Sequence, residues 1–312
     1  MLTSTARRAG VSMARLPRKN RKRASHINRT GWAFVAPFMI VLCIGIVAPV
    51  VYAAYLSLFK DQFVGGVQFV GLENYLRAFN DPKLWSGVGR VLIFFFIQVP
   101  IMLAFSLIAA LALDSNRLRF RGAFRILLFL PYAVPGVVAV IVWGFVYGQQ
   151  YGLAGTINNL IGQTWLTPLV PSWILGSIAN IAVWQFAGYY MLVFYSALRT
   201  IPNELYEAAA LDGAGQFQII RAIKLPALRG AIAIAVVFSI IGSFQLFNEP
   251  NLLKPLAPTA ITSDFTPTLY TYTLAFAGKD YNYAAALAIV LGVVTGVIAY
   301  VVQLRGVRKE VR

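Results

Sequence analysis

Six long apolar blocks, separated by short polar or basic stretches, limit what this chain can fold into. A helix needs about 20 apolar residues to cross the hydrocarbon core of a bilayer, and each block comes close to that length. The 312 residues are 59% hydrophobic and only 12% charged, which leaves too little polar surface for a water-soluble domain. The reading is an all-α, polytopic membrane protein with spans at about residues 32–58, 88–113, 126–147, 172–198, 231–247 and 284–304. Residues 1–31 form a basic tail with no acidic residue, expected to be disordered, and residues 32–312 form one transmembrane domain.

Charge sets the orientation. Most of the 27 lysines and arginines fall in four places: the tail, residues 114–125 with Arg117, Arg119, Arg121 and Arg125, the island at residues 199–230, and the C-terminus. Cytoplasmic loops carry the excess of Lys and Arg, so both termini are expected inside. Lys60, Arg77, Lys83, Arg90, Lys254 and Lys279 fall outside or at a span entrance. The tail reads as an orientation signal, with anionic-lipid contact as the alternative. The net charge of +16 is distributed over loops and not as a nucleic-acid footprint. Pro37 and Pro49 lie near the ends of the first span, Gln98 and Pro100 interrupt the second, and Pro131 with Pro135 predicts a kink in the third. Residues 148–171 read as an external loop with partial helix, and residues 248–283 as an external segment.

The polar island LRTIPNELYEAAALDGAGQFQIIRAIKLPALRG, residues 198–230, has its own local grammar. Pro202 stands near a helix start, where its missing N–H does little harm. Leu205, Ala208, Ala209 and Asp212 follow at i, i+3, i+4 and i+7, one face of a short helix. Gly213 supplies a turn, Phe217, Ile220, Ile223 and Lys224 begin a second helical face, and Leu225-Pro226 is expected to stop it. A helix–turn–helix outside the bilayer is the result.

Glu207-Ala208-Ala209, then Gly213 after three residues, then Ile223, Leu225 and Pro226, resembles in full the EAA loop of the membrane subunits of binding-protein-dependent ABC importers. The flanking Pro202, Glu204, Tyr206, Asp212, Ala214 and Lys224 resemble the carbohydrate branch, which handles oligosaccharides and glycerol phosphates. Similar phrases recur at Val70-Gly71-Leu72-Glu73-Asn74-Tyr75, Phe129-Leu130-Pro131-Tyr132, Gly155 with Ile157-Asn158, Trp184 with Gly188, and Asp280-Tyr281 with Tyr283 to Ala286. The resemblance implies a type I permease fold with a cytoplasmic coupling helix, in a bacterial or archaeal cell membrane. It implies two ATPase subunits, a second homologous permease chain as heterodimer partner, an external solute-binding protein and a sugar substrate. ATP and magnesium would belong to the partner ATPase, leaving this chain without cofactor or catalytic residue. Coupling would fall to Leu205, Glu207, Ala208, Ala209, Asp212, Gly213 and Phe217. Small Ala208 and Ala209 would permit close approach, Leu205 and Phe217 would fill apolar pockets, and Glu207 would pair with a cation.

A substrate path needs polar or aromatic groups within spans, where they are costly and usually functional. Asn180, Trp184, Gln185, Tyr189, Tyr190, Gln245, Asn248 and Glu249 are the candidates, with Gln98 further off. The rings would stack on sugars and the amides bond hydroxyls; the alternative is interhelical hydrogen bonding and an aromatic belt at the interface. No phosphate loop of the G-x-x-x-x-G-K-[ST] kind occurs, so ATP hydrolysis must reside in another chain. One histidine, His26, and one cysteine, Cys43, exclude a His/Cys metal site and an internal disulfide. An ion-gradient-driven secondary transporter would need ionisable relays within the spans, and an intramembrane enzyme a cluster of His, Asp or Glu at one face. The chain offers neither pattern.

Overall fold

The computed structural model describes residues 21–62, 64–115 and 118–310, with side chains described from residue 31 to residue 304. Residues 1–20 of the basic tail, Arg117 and Arg312 lie outside the described residues. The chain divides into two compact units, Met1–Tyr52 and Ala53–Arg312.

The first unit is helical from Arg21, so residues 21–31, read from sequence as tail, already belong to helix α1 (Arg21–Leu42). A π-helical turn, Cys43–Val47, leads into α2 (Ala48–Leu56). That wide turn ends two residues before Pro49, where the helix must forgo one backbone hydrogen bond. The span Gly31–Leu56 has no buried residue in its most apolar stretch, as expected of a helix whose surroundings are lipid or another chain.

In the second unit, the loop after the first span contains structure that hydropathy could not reveal. Strands β1 (Phe59–Gln62) and β2 (Gly66–Phe69) form an antiparallel hairpin, with Phe59 opposite Phe69, followed by α3 (Glu73–Phe79). Asn74, buried on α3, donates to the carbonyls of Ser57 and Phe59 and so fastens the hairpin to the helix.

Helix α4 (Pro82–Asp114) is the longest element and runs unbroken through Pro100, contrary to the interruption expected at Gln98 and Pro100. Gln98 is buried and donates to Met102 Sδ one turn on. A proline in a transmembrane helix is tolerated where neighbouring groups satisfy the freed carbonyl. The expected kink at Pro131 and Pro135 is present and severe. Helix α5 (Arg121–Phe129) and helix α6 (Gly136–Tyr147) meet at 97° through the 3₁₀ turn Leu130–Ala133. Helix α7 (Leu153–Ile161) supplies the partial helix expected in residues 148–171, and α8 (Ile174–Leu198) is the fourth candidate span.

Helices α9 (Asn203–Leu211) and α10 (Gln216–Ile219) form the polar island. Here the expected stop at Leu225-Pro226 fails. A second π turn, Ile220–Lys224, again ends two residues before a proline, and helix α11 (Leu225–Ala227) carries the chain past Pro226. Proline lacks only its own N–H, and the wide turn has already moved the bond pattern, since Leu225 N–H reaches Ile220 O. The bend of 60° lies instead before α12 (Arg229–Phe244). Short α13 (Asn248–Leu253) and α14 (Pro267–Phe276) occupy the segment at residues 248–283, and α15 (Tyr281–Glu310) ends the described chain. Among the described residues, four helices are long and apolar enough to cross a membrane, or up to six when each bent pair counts as one span.

The core of the second unit centres on α4 against α8. Met102, Ala110 and Leu113 of α4 pack with Ala187, Met191, Phe194 and Leu198 of α8 and with Leu228 and Ala235 beyond. Ser106 Oγ bonds Ala187 O at 2.9 Å across the pair, where small residues let the two backbones close in. Gly188 sits beside this contact, and a Cβ there would meet Leu128 O at 1.8 Å.

Polar contacts tie the start of α4 to α14 and α15. Asp81, the N-cap of α4, accepts from Lys83 N–H, from Tyr270 Oη at 2.8 Å and from Tyr283 Oη at 2.7 Å. Burial works to raise its carboxyl, but the Tyr283 and Tyr270 hydroxyls and the Lys83 and Leu84 amides outweigh it and hold it below the usual carboxylate value. Arg77 pairs with Asp280 at 2.9 Å and lies over the Tyr283 ring at 3.7 Å. Thr266 and Thr268 donate to the carbonyls of Leu246 and Phe244, closing α14 onto the end of α12.

Candidate functional site

The island folds into two helices joined by a turn that the backbone accounts for atom by atom. Helix α9 starts after Pro202, whose extended backbone precedes the first turn. It ends in a Schellman arrangement: Ala214 N–H bonds Ala209 O, Gly213 N–H bonds Ala210 O, and Gly213 has φ +75°. Glycine adopts that left-handed conformation without the clash a Cβ would bring. At the start of α10, Gln218 Oε1 accepts from Gly215 N–H at 2.7 Å.

Leu205, Glu207, Ala208, Asp212, Gly213 and Phe217 are all exposed, and Ala209 is half-buried. An exposed phenylalanine at 73% and leucines at 50% and 90%, Phe217, Leu205 and Leu211, stand on one helix–turn–helix. Apolar groups grouped this way mark an interaction surface. The structure therefore gathers every residue expected to couple.

Behind the exposed surface lies a cleft of about 1070 Å³ between the island and the ends of α4 and α8. It is lined by Asp114, Arg199, Glu204, Tyr206, Glu207 and Lys224 among others. Lys224 Nζ meets Asp114 Oδ2 at 2.6 Å, and the two side chains are 9% and 12% exposed. Tyr206 presents its ring 5.5 Å from Lys224 Nζ, and its hydroxyl is buried without a hydrogen-bond partner. Burial, and after it the Asp114 carboxylate, pushes the Tyr206 phenol up. Sequence reasoning did not connect Asp114 with Lys224. The two are 110 positions apart, and only their shared setting beside basic stretches at the edge of apolar spans offered a signal.

The expected substrate-path residues separate into three groups. Gln185 is buried and donates to Val134 O at 3.1 Å, so its amide holds α8 to the bend between α5 and α6. Tyr190 is buried in the α4–α8 core with its hydroxyl 3.5 Å from Ser239 Oγ. For these two the structure shows interhelical bonding and packing. Asn180, Trp184 and Tyr189 sit on the less buried face of α8. Asn180 donates to Tyr147 Oη at 2.8 Å, Trp184 meets Trp143 edge-on at 5.8 Å, and Tyr189 stacks on Tyr132 at 4.8 Å. Gln245 and Asn248 are exposed at the α12–α13 junction with half-buried Glu249 beside them, whose carboxyl burial pushes up. They do not converge on one cavity. Asn180 lines a cavity of about 490 Å³ with Tyr147, Trp165 and Trp173, whereas Gln245 lines one of about 580 Å³ with Thr268, Thr271 and Tyr272. Trp143, Trp165 and Trp173 were not expected near the path, because an isolated aromatic in an apolar block carries no distinguishing signal.

Residues 78–309 match the family of binding-protein-dependent transport system inner membrane components. The chain belongs to that family. It is a multi-pass membrane permease subunit, in a family of transport components and not of enzymes. Among relatives, the lactose transport system permease protein LacF of Rhizobium radiobacter is 31% identical over 297 residues, covering 92% of this chain and 97% of that protein. The trehalose/maltose transport system permease protein MalF of Thermococcus litoralis is 29% identical, covering 84% and 88%. In fold, the permease resembles a chain of a bacterial ABC transporter involved in the import of the acidic polysaccharide alginate. The TM-score is 0.80 at 22% identity, with 92% and 99% of the two chains covered. The fold of this permease is that of an ABC importer membrane subunit.

Proposed function

We propose that this permease carries a sugar inward as one membrane subunit of an ATP-driven importer. The observation that carries the reading is the exposed α9–α10 coupling unit, closed by Gly213 and set in a chain whose family serves binding-protein-dependent transport. Relatives named for lactose and for trehalose and maltose support the carbohydrate class. An alginate transporter of the same fold has been crystallised with an oligosaccharide-bound periplasmic protein, which supports an external binding protein here.

In this reading two ATPase subunits, with their ATP and magnesium, receive the α9–α10 surface, and a second permease chain completes the pathway. Leu205 and Phe217 fill apolar pockets of the ATPase, and Ala208 and Ala209 allow its close approach. Closure of the ATPases moves the island, which passes that motion to the spans and drives alternating access. Asn180, Trp184 and Tyr189 of α8, with Gln245, Asn248 and Glu249, offer the rings and polar groups for a passing sugar. Both termini face the cytoplasm, following the distribution of basic residues.

Affinity purification of the tagged chain in mild detergent tests the assembly. The expected result is co-purification of an ATPase and a second permease. Recovery of the chain alone, with intact ion-driven uptake, would overturn the reading. A reporter fused after Pro258 is expected to give an external signal, and a cytoplasmic one would break the six-span topology.

A further inference from the structure

Among the described residues, Lys224 is the only charged residue that the fold buries. Lysine is almost never fully buried unless paired, and here the pair joins two elements far apart in sequence. Lys224 ends the π turn that follows α10, whereas Asp114 is the last residue of α4. Tyr206, on the coupling helix α9 itself, places its ring against the same ammonium. One side chain therefore touches the coupling helix, belongs to the return arm of the island, and grips the end of the longest helix.

A buried ion pair is a poor device for stability, because desolvation offsets much of the attraction, and an apolar pair of equal volume often serves as well. Its advantage is geometry: a charged joint has one register, and leaving it means exposing two unpaired charges. The remainder of α4 suits such a joint. Its 33 residues make a rod of about 50 Å. It packs along α8, and its external end is fixed through Asp81 to Tyr270 and Tyr283.

We infer that the Asp114–Lys224 pair, seated by Tyr206, is the joint through which the coupling loop moves α4 as a rigid rod. The inference rests on the functional reading above and adds three positioning residues to it. These residues act through α9 and α4 and touch neither nucleotide nor sugar. The cleft beside the joint is lined by Arg199, Glu204 and Glu207, so the charges facing the pair include both signs.

The test uses the full importer, purified through this chain with Cys43 replaced by serine. Spin labels are placed at Ala112→Cys on α4 and Asn203→Cys on α9, and distances are read with and without MgATP and vanadate. With the pair intact, the label distance forms one narrow peak that nucleotide does not move, because loop and rod travel together. Asp114→Asn is expected to lose the narrow peak and to shift with nucleotide, while the ATPase still co-purifies. The charge exchange Asp114→Lys with Lys224→Asp restores the peak. The apolar pair Asp114→Leu with Lys224→Met keeps the assembly folded but leaves the peak broad, a result that stability alone would not produce. An ATPase-bearing preparation whose peak ignores both Asp114→Asn and the apolar pair overturns this proposal alone. A wild-type preparation that holds no ATPase overturns the functional reading, and this proposal with it.

Discussion

Replacing Gly188 by alanine adds one carbon where the structure has no room for it. A Cβ at that position would lie 1.8 Å from Leu128 O, 2.5 Å from Leu128 C and 2.9 Å from Phe129 Cα. All three are backbone atoms of the last turn of α5, just before its bend into α6, so no side chain can rotate away. An ordinary carbon–oxygen contact needs more than 3 Å, so α8 and the bend must separate by over an ångström. Overpacking of this kind destabilises by about 1–3 kcal/mol. The same shift strains the Gln185 bond to Val134 O, whose loss adds about 1 kcal/mol. Gly176, on the same helix, has nothing within 4 Å of its would-be Cβ and is the matched control. Alanine there is expected to be neutral or to stabilise by about 0.5–1 kcal/mol through the lost flexibility of glycine in a helix. Thermal unfolding of the detergent-solubilised permease, followed by the surviving monodisperse fraction, reads both. Gly188→Ala should melt several degrees lower and Gly176→Ala should not. Equal melting of the two variants would refute the close packing of α8 on the bend.

Gly213 has a positive φ but nothing within 4 Å of a would-be Cβ, so substitution there strains only the backbone. Gly213→Val should lower ATPase co-purification and uptake, whereas Gly213→Asn, which tolerates the left-handed region, should come nearest to wild type. Equal loss in both would mean that space, not conformation, is limiting. Asp81 provides a pH handle at the start of α4. Its carboxyl is held below the usual value, so its contribution is present above the unfolded-state value, about 3.9, and is lost as pH falls through the folded-state value. Stability should therefore not depend on Asp81 titration between pH 6 and 8, while Asp81→Asn should destabilise at pH 7 by about 1–2 kcal/mol through its tyrosine bonds. Melting of wild type and variant across that range checks it, and an Asp81→Asn protein as stable as wild type would show that the tyrosine bonds to Asp81 contribute nothing to stability.

Hydropathy was enough to place the spans, because crossing a bilayer demands long apolar runs and no tertiary partner is needed to recognise them. The Gly213 turn was legible for a similar reason: a local backbone requirement is written into a single residue. Prolines were harder to read. Pro131 and Pro135 produce a 97° bend, Pro100 leaves α4 unbroken, and Pro49 and Pro226 follow π turns that keep their helices running. Whether a freed carbonyl is satisfied depends on neighbours that the local sequence does not name.

The polar residues within the spans divide in the same manner. Asn180 and Gln185 are both amides on α8, yet one lines a cavity and the other holds a bend. Their roles follow from which element lies opposite, a property of helix packing and not of residue type. Composition and contiguous residues were enough to give the membrane class, the family and the helix–turn–helix of the island. The tertiary structure alone decided that Asp114 meets Lys224 and that Asp81 meets Tyr270 and Tyr283. Those partners come from distant segments, and only the packing of the helices brings them within reach.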